Sequence, residues 1–144
     1  MKKIIAFLFL ISVFSFYCYS QTANSKKITV EITNIVVNGG KVYLAIFSNA
    51  EEFRKEEPYA AFELEDSTSV ISKEVTLPYG EYVISAFQDA NNSKKLEYGL
   101  FGVPKELVAI SNYFGKGLPS RNFDKQKITV NNAAEKVTIG LYKF

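Results

Sequence analysis

The chain has 144 residues, with 17 Lys and Arg against 15 Asp and Glu, one cysteine, and neither histidine nor tryptophan. Without histidine the commonest general base and transition-metal ligand are both missing, and beyond Cys18 there is no thiolate for catalysis or for structural zinc. These absences argue against an enzyme, and once Lys2 and Lys3 are set aside the charges balance, so nothing in the overall charge points to nucleic acid or to an anionic membrane surface.

The first element is a signal. Lys2 and Lys3 precede an apolar run from Ile4 to about Tyr19, which is short for a membrane span and fits the charged and hydrophobic regions of a secretory signal peptide over residues 1–20. Cleavage before Gln21 follows from the small residues at Cys18 and Ser20. Cys18 also sits where lipoprotein cysteines sit, although bulky Phe16 and Tyr17 precede it. The reading is an exported protein, placed in the periplasm, at the outer membrane or outside the cell, with no transmembrane span in its mature chain. If Cys18 leaves with the signal, residues 21–144 form one domain with no disulfide.

Ile28, Val30 and Ile32 alternate with polar residues, the period of a half-buried strand, and Val42, Leu44 and Ile46 alternate with Tyr43, Ala45 and Phe47. Asn38-Gly39-Gly40 lies between them and predicts that the two runs form a hairpin. In Ser48–Pro58, a capping Ser48 or Asn49, first-turn Glu51 and Glu52, and a terminal Pro58 predict one or two helical turns. Strands are expected at Tyr59–Glu65, at Val70–Leu77 and, after the corner Leu77-Pro-Tyr-Gly-Glu-Tyr82, at Tyr82–Phe87. From Phe87 to Lys127 there is no clean alternation, which predicts one long irregular connection. Two closing strands at Lys127–Val130 and from Lys136 onward, separated by Asn131-Asn132, bring the total to about seven. The expected fold is all-β, a single antiparallel β-sandwich of prealbumin or immunoglobulin type.

Gly40-Lys-Val-Tyr-Leu-Ala-Ile-Phe47, Leu77-Pro-Tyr-Gly-Glu-Tyr82, Asp89-Ala-Asn91 with Leu96-Glu97, and Gly102-Val-Pro104-Lys-Glu106 followed by Ser111-Asn112 resemble the bacterial family called domain of unknown function 2141. The resemblance implies a secreted or envelope-located, prealbumin-like sandwich with no assigned activity. In that family a His-Asp-x-Asn pattern ends the strand before the loop and Asn-Gly-x-Leu-Asp follows. Here Gln88 stands in place of the His, Ser93-Lys94 in place of Asn-Gly, and Glu97 in place of the second Asp.

The long connection holds the candidate chemistry. Asp89, Asn91 and Ser93 alternate as the first oxygen ligands of a calcium loop do, with Glu97 at the ninth position, and a weak extracellular calcium site is one reading. Lys94 replaces the turn glycine of such a loop and Leu100 replaces its last chelating acid. The alternative is an Asx turn in which Asp89 and Asn91 accept backbone N–H groups. Asp89 and Glu97 also form the carboxylate pair that a hydrolase of envelope glycans would need. Ser111 and Asn112 complete the candidate ligand-binding set with Asp89, Asn91, Ser93 and Glu97. No Ser-x-x-Lys pattern supports a serine hydrolase, and no Walker-type Gly-Lys-Ser/Thr follows the glycines. Gly99, Gly102 and Pro104 are expected to let Phe101 and Val103 tuck inward while Glu106 stays out. Aromatics and cations between Tyr113 and Phe123 suit either stacking on a sugar or peptide, or a lid on the sandwich. The functional expectation is a non-catalytic binding or structural module without cofactor, its partner an envelope protein or glycan, with calcium binding and glycan hydrolysis as alternatives.

Overall fold

The computed structural model describes residues 24–144, so the expected signal, its expected cleavage site and Cys18 lie outside the described residues. The elements in order are β1 (Ser25–Thr33), β2 (Val42–Phe47), α1 (Ala50–Lys55), β3 (Ala60–Leu64), β4 (Ile71–Pro78), β5 (Gly80–Gln88), a 3-10 turn (Leu100–Gly102), β6 (Leu107–Ile110), α2 (Phe123–Gln126), β7 (Ile128–Val130) and β8 (Lys136–Gly140). One sheet has the order β4-β1-β8, and the other runs β3-β2-β5-β6 with β7 on the first residues of β5. Every pairing is antiparallel except that of β8, which runs parallel to β1.

The alternation read in the sequence decides which side chains meet between the sheets. Ile28, Val30 and Ile32 of β1 and Val75 and Leu77 of β4 face Val42, Leu44 and Ile46 of β2 and Ile84 and Ala86 of β5, all in one buried cluster. Each large aliphatic side chain so placed contributes about 1.5 to 3 kcal/mol relative to exposure. The corner before β5 forms as its residues dictate: Tyr82 is buried, and its hydroxyl donates to the Pro78 carbonyl oxygen at 2.9 Å.

Two expectations fail. The predicted β1–β2 hairpin does not form, because β1 pairs with β4 and β8 while β2 pairs with β3 and β5. The Asn38–Gly40 turn instead carries the chain from one sheet to the other. Asn38 takes a left-handed φ of 58° and Gly40 a φ of 109°, where a Cβ on Gly40 would stand 1.9 Å from the Asp89 carbonyl oxygen. Turn chemistry alone does not tell a hairpin from a sheet crossing, since both need positive φ.

The second failure is the unbroken connection. β6 divides it, pairing Leu107–Ile110 with β5 and raising the strand count among the described residues to eight. Val108, Ala109 and Ile110 are all buried, so both faces of this short strand are covered and no alternation marks it. β5 is covered on both faces as well. Ile84 and Ala86 enter the sandwich core, while Val83 joins Phe47 and Ile110 in a small outer core closed by Phe53, Tyr113 and Phe123.

α1 brings Phe53 to that outer face. Asn49 caps the helix through its Oδ1, which accepts the Glu51 and Glu52 amides at 3.0 and 2.9 Å. Glu52 reaches back to the Ser48 amide at 2.7 Å, so each residue satisfies an orphan donor of the other's turn. Glu56 ends the helix in the left-handed conformation at φ 59°, ahead of Pro58.

Candidate functional site

The connection after β5 starts with a self-contained polar turn. Asp89 is only 2% exposed, and its two carboxylate oxygens accept the backbone N–H groups of Ser93 at 3.1 Å and Lys94 at 2.7 Å. Asn91 Oδ1 accepts the Ser93 amide at 3.0 Å, and Asn91 Nδ2 donates to Glu97 Oε2 at 2.8 Å. Ser93 Oγ donates to the Lys95 carbonyl at 3.1 Å. The structure therefore does bring Asp89, Asn91, Ser93 and Glu97 together, but as partners of one another and of the turn's own amides. Among the described residues, no group of three or more His, Cys, Asp or Glu side chains is placed to hold a metal ion. A glycosidic acid needs an accessible carboxyl group, and Asp89 is buried and turned onto backbone amides.

Gln88 has a comparable structural task. Buried at 2% exposure, it accepts the Val36 amide at 3.0 Å and donates to the carbonyl oxygens of Val36 at 2.7 Å and Gly40 at 2.9 Å, latching the sheet crossing onto the end of β5. Ser111 and Asn112 lie at the end of β6, away from this turn. Ser111 is buried; its Oγ accepts from the Ile84 amide at 3.1 Å and donates to the Gln126 carbonyl at 2.6 Å. Asn112, at φ 57°, is exposed and donates to the Lys127 carbonyl at 2.6 Å. Both tie α2 to the sheet.

The second part of the connection is different. Glu97 and Lys105, Tyr98 and Pro104, and Gly99 and Val103 face one another across a short antiparallel hairpin, with bonds of 2.9 Å from the Lys105 amide to the Glu97 carbonyl and 2.7 Å from the Gly99 amide to the Val103 carbonyl. Leu100, Phe101 and Gly102 form its tip, where Phe101 has a φ of 61°. The sequence expectation is reversed here: Phe101 is 98% exposed, whereas Glu106 is buried and accepts the Glu97 amide at 2.9 Å. Glu106 turns in because it supplies an acceptor to an otherwise unpaired hairpin amide.

Between this hairpin and the Leu118–Arg121 segment lies a cavity of about 440 Å³ on the outer face of the five-stranded sheet. Ser85, Val108 and Ile110 line it from the sheet, and Phe53 lines it from α1. The Arg121 guanidinium sits 4.7 Å from the Tyr98 ring centroid, and the Tyr98 hydroxyl donates to Glu56 Oε1 at 2.9 Å. Burial, followed by that bond to the Glu56 carboxylate, pushes the Tyr98 phenol up to about 12, so it is a neutral donor at physiological pH. The sequence candidates do not include Tyr98, Phe53 or Glu56. The usable signal was Val83-Ile84 and Val108-Ala109-Ile110: consecutive apolar residues in a strand mean cover on both faces, and so an outer layer with its own surface.

Among the described residues no helix is long and apolar enough to cross a membrane. No curated protein and no solved structure matches the chain. Residues 30–138 match the model of the family described as "Uncharacterized protein conserved in bacteria (DUF2141)", a span that includes β2 to β7, the sheet crossing, the polar turn and the cavity, and the chain belongs to that family.

Proposed function

We propose that the protein is an exported, non-catalytic binding module of the bacterial envelope, and that its binding site is the cavity on the outer face of the five-stranded sheet. The observation that carries this reading is the composition of that cavity: apolar walls from Phe53, Val108 and Ile110, with the Tyr98–Arg121 stack as its polar element. A cavity of about 440 Å³ with apolar walls and a few fixed polar groups is the usual form of a small-ligand or side-chain site. Export is supported by the charged and apolar composition of residues 1–20. The absence of histidine, the burial of Asp89 and the neutral Tyr98 phenol support a binding role over a chemical one. Partners of the matching chemistry are an envelope protein offering an apolar side chain, or a glycan whose sugar faces stack on Tyr98.

The test is an amide-resolved NMR titration with soluble cell-wall glycan fragments and with short apolar peptides, followed by product analysis. Shifts confined to Ser85, Val108, Ile110 and Arg121, lost in Arg121→Ala, with the ligand recovered intact, are expected. A cleaved glycan, or shifts centred on Ser111, would defeat the reading.

A further inference from the structure

The four most exposed large apolar side chains among the described residues are Phe101 at 98%, Leu100 at 83%, Phe114 at 82% and Leu118 at 55%, all within one stretch of nineteen residues. Two of them, Leu100 and Phe101, are consecutive at the tip of a hairpin, and Leu118 lines the same cavity as Phe101. Phe101 holds a left-handed φ of 61°, a conformation that a bulky residue adopts only against a steric cost, and it leaves the ring in solvent. A water-soluble protein gains nothing from this arrangement unless another phase or partner receives the tip.

The charge around the tip points to what receives it. Residues 94–121 contain Lys94, Lys95, Lys105, Lys116 and Arg121 against only Glu97 and Glu106, so the chain's overall balance conceals a local cationic excess. Among the described residues none of these five cations is in an ion pair. The nearby carboxylates are engaged: Glu97 with Asn91, Glu106 with the Glu97 amide, and Glu56 with the Tyr98 hydroxyl. Arg121 lies directly under the tip, its Nη2 3.9 Å from the place a Cβ of Gly102 would take, and Lys105 flanks Gly99 on the returning strand. Tyr98, an amphipathic ring just behind the two apolar residues, sits where an interfacial aromatic sits. Apolar side chains at a protruding point, an aromatic behind them and unpaired cations beside them complement one surface in particular, the anionic headgroup layer of a bilayer above its acyl chains.

We propose that the Glu97–Lys105 hairpin is a membrane-surface anchor: Leu100 and Phe101 enter the acyl boundary of an anionic leaflet, while Lys105 and Lys95 engage lipid phosphates. The anchor holds the sandwich on the bilayer without spanning it, and it operates whatever ligand the neighbouring cavity takes.

The chain lacks tryptophan, so Phe101→Trp places a single indole at the tip. The protein recovered from exporting cells is mixed with vesicles of phosphatidylcholine alone, or of three parts phosphatidylcholine to one part phosphatidylglycerol. With the anionic vesicles the indole emission shifts to the blue and is quenched by brominated acyl chains. The same probe at Thr76→Trp, on the exposed face of β4 in the three-stranded sheet, stays unshifted. Phe101→Asp with Leu100→Asp lowers co-sedimentation with these vesicles on the order of tenfold, and added salt weakens binding through loss of the phosphate contacts. Circular dichroism of each variant verifies that the fold is kept, and these exposed sites make that the expected result. An unshifted tip indole with anionic vesicles overturns the proposal, as does an equal shift at position 76, which means adsorption of the whole surface. A tip indole that shifts with apolar peptides but not with vesicles assigns the hairpin to a protein partner and equally overturns it. Because the cavity is titrated separately with soluble ligands, failure here leaves the cavity reading standing.

Discussion

Two halves of one connection follow opposite rules. Between Asp89 and Glu97 the side chains of Asp89, Asn91, Ser93 and Glu97 are committed locally, with Asp89 buried at 2% exposure and bonded to two amides of its own loop. From Tyr98 to Arg121 the small hairpin and β6 give the backbone partners of its own, yet Leu100, Phe101, Phe114 and Leu118 stand in water and the cations beside them have no ion-pair partner among the described residues. The first half looks functional in the sequence, because alternating oxygen-bearing residues suggest ligands, and the structure spends those oxygens on conformation. The second half resembles punctuation and lid, and it presents exposed apolar and cationic groups, the surface we propose for docking. Commitment of polar groups to the chain itself is a mark of scaffold; uncommitted apolar and cationic groups are a mark of interface.

The contrast is sharpest where the first half meets the sheet crossing. Gly40→Ala drives a Cβ to 1.9 Å from the Asp89 carbonyl oxygen at a φ of 109°, and a loss of about 3 to 5 kcal/mol in urea-unfolding free energy is expected. A loss below about 1 kcal/mol would show that the crossing and the turn are not packed as rigidly as this contact requires. Asp89→Ala leaves the Ser93 and Lys94 amides without acceptors and is expected to cost about 2 to 4 kcal/mol by the same measurement. If it were neutral, the turn would be free to serve a ligand after all.

In the second half the largest response is to pH. The folded Tyr98 phenol titrates at about 12, above its ordinary value of 10.0, so the neutral form is the one that folding favours. Its contribution is complete below the unfolded value, and is lost as pH rises from 10 toward 12. Ultraviolet titration should show a late tyrosinate that disappears in Tyr98→Phe, while at neutral pH that variant loses under about 1 kcal/mol. A Tyr98 that ionises with the exposed tyrosines would mean that the ring is not held between Arg121 and Glu56. Phe101→Ser is expected to change unfolding free energy by less than about 0.5 kcal/mol, because the ring is already in water. A larger loss would make the tip part of the fold and erase the distinction between the halves. The smallest effect concerns calcium. Adding the ion at ten times a millimolar dissociation constant would stabilise a real site by about 1.4 kcal/mol, and the expected shift in melting with calcium against chelator is none, because the oxygens of Asp89 and Asn91 already accept amides.

Much of the sandwich is legible from side-chain periodicity, since Val42, Leu44 and Ile46 declare an inner face and Tyr43, Ala45 and Phe47 an outer one. The cap of α1 and the Pro78–Tyr82 corner are local chemistry and form as read. Pairing is less accessible. Nothing between Asn34 and Lys41 distinguishes a return into the same sheet from a crossing to the other, and β6 hides because alternation vanishes when both faces are buried. For the candidate site, the neighbourhood of Asp89, Asn91, Ser93 and Glu97 was legible and its internal satisfaction was not. Whether an oxygen accepts an amide of its own turn or waits for a ligand depends on where the backbone bends.

What the sequence by itself determined is therefore what short range determines: an all-β chain, its inward-facing residues, its caps and corner, and a family whose pattern runs through residues 30–138. Only the tertiary structure decided that β1 and β2 part company, that β8 lies parallel to β1, and that Glu106 is buried while Phe101 is thrust into solvent. The physical reason is that propensity and periodicity act over a few residues, whereas burial and hydrogen-bond satisfaction are settled by groups far apart in the chain. The connection from Asp89 to Arg121 shows both regimes, a turn that satisfies itself and a hairpin tip whose exposure only the packed sheets reveal.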